Sequence, residues 1–125
     1  MSGRIGSVCT HAVVTTAVFM IAAAVVMAHM ALQKSAPEKD AVLSASPDEI
    51  QLWFTQKPDP AVSNVSLAGD QGEIELGDAK VMEEKSVAVS VPALDPGTYS
   101  VSWRSAGDDG HIQRGQFSFT IRAAE

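Results

Sequence analysis

Two patterns divide the chain. From Ala12 to Ala28 the run AVVTTAVFMIAAAVVMA carries no charge, and Thr15 and Thr16 are its only polar residues. Beyond residue 30 apolar and polar positions alternate in short runs. Ile50, Leu52 and Phe54 fall on one side of Ile50–Thr55, with Trp53 on the other. Val87, Val89 and Val91 share a face opposite Ala88 and Ser90, as do Tyr99, Val101 and Trp103 within Thr98–Arg104, and Phe117, Phe119 and Ile121 within Gln116–Arg122. A period of two, rich in β-branched and aromatic residues, predicts strands with one wet face. Weaker strand candidates lie at Ala31–Ser35, Ser63–Leu67 and Glu73–Leu76.

The punctuation agrees. Pro58-Asp59-Pro60, Gly69-Asp70-Gln71-Gly72, Asp95-Pro96-Gly97 and Gly107-Asp108-Asp109-Gly110 are turn chemistry. No stretch after residue 30 sustains a helical period, although Asp78–Lys85 has room for one helical turn. The acidic, proline-containing stretch Ser35–Asp48 reads as a loop after a first edge strand. About seven short strands with regular turns predict an all-β, Ig-like Greek-key sandwich or barrel. On this reading Tyr99 and Trp103 belong to the core, and Trp53 is half exposed or packs on another sheet.

The charge-free run changes the domain arithmetic. Arg4 and the amino terminus precede it without an acid, and Val26-Met27-Ala28 sets small residues three and one positions before a cut. Charged, apolar and small-residue regions in this order describe a secretory signal peptide over residues 1–28. The alternative is an uncleaved inner-membrane anchor, since 17 residues reach the lower end of a bilayer span. Cys9 precedes the run, which argues against a lipidated cysteine after the cut. Cleavage after Ala28 leaves a 97-residue domain, 29–125, in the periplasm or an equivalent extracytoplasmic space. That domain has no cysteine, and eight Lys+Arg against 15 Asp+Glu give it a formal charge of −7. It folds on its core alone, without a disulfide. The acidic balance argues against nucleic acid as a partner, and no alternating face demands a dimer.

Histidine is the scarce residue. Of three in the chain, His11 leaves with the signal, His29 becomes the first residue, and His111 follows Asp109 at a spacing of two. An N-terminal His offers its α-amine and ring Nδ1 to one metal ion as a six-membered chelate. The amine's ordinary pKa of about 7.7–8.0 lets a metal displace its proton near neutrality. In extended backbone Asp109 and His111 point to the same side, so His29, Asp109 and His111 together make an N₃O set. Nitrogen and oxygen donors in tetragonal arrangement suit one Cu(II) ion. Only Met30 and Met82 supply thioethers after the cut, which gives little support to Cu(I). Asp108, adjacent to Asp109, should point away from His111. Arg104 and Arg114 flank the loop and read as solvated surface charges.

The sequence resembles the CopC-type copper-resistance proteins. Leu32-Gln33-Lys34-Ser35-Ala36-Pro37 looks like the family's L-x-x-S-x-P opening, and Ile50–Phe54 resembles the strand before its second segment. The most specific stretch is Leu94-Asp95-Pro96-Gly97-Thr98-Tyr99-Ser100-Val101-Ser102-Trp103-Arg104, followed by Asp109-Gly110-His111 and Gly115-Gln116-Phe117-Ser118-Phe119. The resemblance implies a Greek-key β-barrel, copper handling outside the cytoplasm, and a Cu(II) site at His29, Asp109 and His111. It also implies as partners a membrane copper importer or other copper-handling proteins. Two departures stand out. Gln56 occupies a position where many members carry Glu near the copper, and the methionine-rich segment of some members is missing.

The resulting expectation is an exported copper-binding protein, not an enzyme, serving copper buffering, resistance or delivery. The alternatives are an Ig-like interaction domain without metal and a mononuclear copper oxidative enzyme, which would also use an N-terminal His.

Overall fold

The computed structural model describes Gly3 and residues 29–123. The proposed signal segment, apart from Gly3, lies outside the described residues, the residue before the cut included. Those described form nine strands and no α-helix. The strands are β1 (Leu32–Ala36), β2 (Val42–Leu43), β3 (Glu49–Phe54), β4 (Asn64–Gly69), β5 (Gly72–Ile74), β6 (Lys80–Met82), β7 (Ser86–Ser90), β8 (Gly97–Ala106) and β9 (Ile112–Ile121).

The alternating runs became the central strands because each has one apolar face to bury. Ile50, Leu52 and Phe54 of β3 are all but sealed from solvent and pair in register with β7, Ile50 opposite Val89 and Leu52 opposite Val87. This sheet runs β1-β3-β7-β6. The second runs β2-β9-β8-β4-β5, and Val65, Leu67, Tyr99, Val101, Phe117, Phe119 and Ile121 turn inward from it. All ladders are antiparallel except β2 beside β9. The chain passes repeatedly from one sheet to the other, giving the expected Ig-like sandwich. Tyr99 donates its hydroxyl proton to the carbonyl of Asp95, which pins the entry to β8. Trp103 packs edge-on against Phe54, ring centroids 5.1 Å apart, and so joins the core from the opposite sheet. Trp53 is partly buried on the outer face, under the Lys34 ammonium at 4.4 Å.

The differences from the sequence reading fall at the edges. Nine strands replace about seven, because β2 and β6, two and three residues long, carry no alternating run of their own. Ser35–Asp48 contains β2, held to β9 through bonds such as Thr120 N–H to Ala41 O at 2.9 Å. Asp78–Lys85 holds β6 and a turn with positive φ at Glu84 and Lys85, not a helical turn.

One hairpin positions the site. β8 and β9 stay in register over ten pairs, from Gly97 opposite Ile121 to Ala106 opposite Ile112. Such a ladder extends roughly 33 Å. It presents the five-residue tip Gly107–His111 at the end of the sandwich where β1 begins.

Candidate metal centre

His29 stands just ahead of β1, and its place is set by the two residues after it. Met30 is 2% exposed and anchors the segment in the core. Ala31 is bonded at both backbone groups: its N–H donates to Thr55 Oγ1 (3.0 Å), and its carbonyl accepts from Thr55 N–H (2.9 Å). The imidazole of His29 is left at the surface, with half its side chain exposed.

Asp109 and His111 approach from the hairpin tip. Gly110 N–H donates to Gly107 O at 3.1 Å, and Gly110 has φ of 72°, a left-handed conformation that glycine adopts without strain. The chain then reverses so that His111 N–H donates to Asp109 Oδ1 at 3.0 Å. Asp109 and His111 therefore do face one another. The cause is a turn closed by the aspartate itself, not the extended backbone expected from their spacing.

The three side chains meet at Asp109 Oδ2, which lies 3.1 Å from His29 Nδ1 and 3.5 Å from His111 Nδ1. The two imidazoles are tilted at 41°, centroids 5.3 Å apart. One donor atom from each of the three residues falls within 4.8 Å of the others, the one such group of His, Cys, Asp or Glu among the described residues. The Asp109 backbone is at an exposed tip, yet its carboxylate is tucked between the rings. The His111 backbone N–H holds that carboxyl below the usual aspartate range. Partial desolvation opposes this, and the hydrogen bond from His29 and the charges of both histidines add to it. The carboxylate thus stays ionised, as a metal ligand must be.

Asp108 does not join the group. Its backbone N–H donates instead to Gln56 Oε1 at 3.1 Å. Gln56 packs against the loop: a Cβ at Gly107 would lie 2.1 Å from Gln56 Oε1. Arg104 and Arg114 sit opposite one another on β8 and β9, exposed, while Asp109 pairs with the two histidines. Met30 and Thr55, which fix His29, escaped the sequence reading. The alternation of β3 stops at Thr55, and a single buried Met beside a predicted cut has no periodic neighbours.

The chain is thus a small Ig-like β domain with an N,N,O group of side chains at one end, and the comparisons narrow the class. A family model described as CopC domain matches residues 32–122. The chain is 32% identical over 101 residues to Protein YobA of Escherichia coli K12, covering 78% of this chain and 82% of the relative. It is 29% identical over 133 residues to Copper resistance protein C of Escherichia coli, covering 93% and 99%. Among solved structures, CopC from Methylosinus trichosporium OB3b superposes with a TM-score of 0.72 at 29% identity, over 78% of this chain and 97% of that one. The chain belongs to the CopC domain family.

Proposed function

We propose that this protein is an exported copper carrier that holds one Cu(II) ion through His29, Asp109 and His111 once residues 1–28 are removed. The observation that carries the proposal is the convergence of these three donor side chains within 4.8 Å, from segments 80 residues apart. In the uncut chain the His29 nitrogen is an amide to Ala28. Cleavage turns it into an amine, which completes a chelate with Nδ1. Two imidazoles, an amine and one carboxylate suit Cu(II) over softer ions. The name copper resistance protein C, borne by a relative aligned over 93% of the chain, supports copper as the cargo.

The role is binding rather than catalysis. The carboxylate fills a position that an oxidative copper enzyme needs for oxygen. Both imidazoles are open to solvent, side chains 49% and 58% exposed, which suits handing an ion to another carrier. The work is done in the periplasm, as buffering, resistance or delivery to a membrane importer or other copper-handling protein, by a monomer.

The test is N-terminal analysis of the exported protein together with Cu(II) titration. A start at His29 and one tight equivalent of Cu(II) are expected. A start elsewhere, or no Cu(II) spectrum at one equivalent, refutes the proposal.

A further inference from the structure

The two halves of the donor cluster are tied to two residues adjacent in sequence, one half to each. Thr55 bonds both backbone groups of Ala31, two positions from His29. Gln56 Oε1 accepts from Asp108 N–H, one position from Asp109. Thr55 and Gln56 are themselves fixed. Phe54 on one side is 1% exposed, and Pro58 on the other is fully buried. The Thr55 carbonyl also accepts from Lys85 Nζ at 3.3 Å, and the Asp59 N–H donates to Ala106 O at 2.9 Å, at the foot of the hairpin tip. Gly107 leaves the space that Gln56 occupies, since a Cβ there would also come within 3.0 Å of Gln56 Cδ.

We infer that Thr55–Gln56 is a yoke that sets the spacing between the N-terminal half and the hairpin half of the His29–Asp109–His111 cluster. Gln56 acts through the loop backbone as a positioning residue and contributes no ligand atom. The inference rests on the proposed site for its copper readout only; the yoke itself exists in the metal-free protein.

The physical basis is the weakness of the direct link. His29 and the hairpin meet through exposed side chains, and surface ion pairs alone hold geometry poorly. A ligand set must be kept close to its productive geometry by supporting hydrogen bonds. The backbone bonds to Thr55 and Gln56 supply that support from a segment anchored in the core.

Four variants test this on the exported product of the full chain. Gln56→Met keeps the length and removes the acceptor, whereas Gln56→Glu keeps an acceptor. Thr55→Val removes Oγ1. Gly107→Ala retains Gln56 but pushes its amide off the loop. In metal-free protein followed by NMR, the Asp108 amide should exchange faster with solvent in Gln56→Met and Gly107→Ala. The proton contact between the His29 and His111 rings should weaken in these two and in Thr55→Val, while Gln56→Glu retains it. With Cu(II), Gln56→Met and Thr55→Val should each bind roughly three- to tenfold more weakly, tenfold being about 1.4 kcal/mol. Their copper hyperfine splitting should change, and combining the two should cost little more than either alone, because freeing one half already releases the spacing. Unchanged ring contact and Asp108 exchange in Gln56→Met and Gly107→Ala would overturn the yoke, whatever copper does. Failure of the wild type to take up Cu(II), with the ring contact responding as expected, would instead overturn the copper assignment and leave the yoke standing.

Discussion

Gly115 lies opposite Trp103 on the β8–β9 ladder, and a Cβ added there would sit 2.5 Å from Trp103 Cζ2 and 2.6 Å from both Cε2 and Nε1. Ordinary carbon contacts begin near 3.4 Å, so Gly115→Ala requires the indole to move by roughly 1 Å. It has little freedom to do so, because the ring is wedged edge-on against Phe54 in the core. Overpacking of this kind costs about 1–3 kcal/mol. Against it stands the usual gain of about 0.5–1 kcal/mol when Ala replaces Gly inside a strand. The steric cost is the larger, and we expect net destabilisation of about 1–2 kcal/mol. For a domain of this size that lowers the melting temperature by roughly 5–10 °C. Urea unfolding of the metal-free exported protein measures it: the midpoint should fall with the slope unchanged. Trp103→Leu should cost less in the Gly115→Ala background than in the wild type, and that difference measures the clash. A Gly115→Ala protein as stable as wild type would refute the reasoning, since propensity would then outweigh the packing.

Four further outcomes follow from the geometry. His29→Ala and His111→Ala should abolish tight Cu(II) binding in a competition titration, whereas Asp108→Ala should leave it nearly intact, its side chain lying outside the donor cluster. Cu(II) affinity measured against pH should weaken below about pH 6, where imidazole and amine retain protons; affinity flat to pH 4 would contradict nitrogen ligation. In the metal-free protein the lowered Asp109 pKa means its carboxylate favours the fold above the ordinary value of 3.8, and that contribution is lost as pH falls through the lowered value. Asp109→Asn should therefore flatten the acid limb of the stability profile. Tyr99→Phe should cost about 1 kcal/mol in urea unfolding by leaving the Asp95 carbonyl without its donor.

How much was legible beforehand depended on whether a residue's environment repeats along the chain. β3, β7, β8 and β9 were readable because two or three residues on each face the same core, as Phe117, Phe119 and Ile121 do. β2 and β6 were not, since they are held mainly by backbone bonds to a neighbour, which leave no side-chain period. Asp109 and His111 stood out by chemistry and spacing, but the route by which they face one another depends on Gly110 and on the aspartate closing its own turn. Gln56 drew notice as an absent carboxylate. Its contact with Asp108, 52 residues away, is a product of the fold.

The 80-residue separation between His29 and Asp109 has a kinetic consequence. Contacts so distant along a chain close late, after local hairpins and sheets have formed. A nascent or partly unfolded chain can bring Asp109 and His111 together at their local turn, but not His29 with them. The meeting of these groups is therefore a report that β1 and the β8–β9 hairpin are both in place, and anything that frees either one takes the cluster apart.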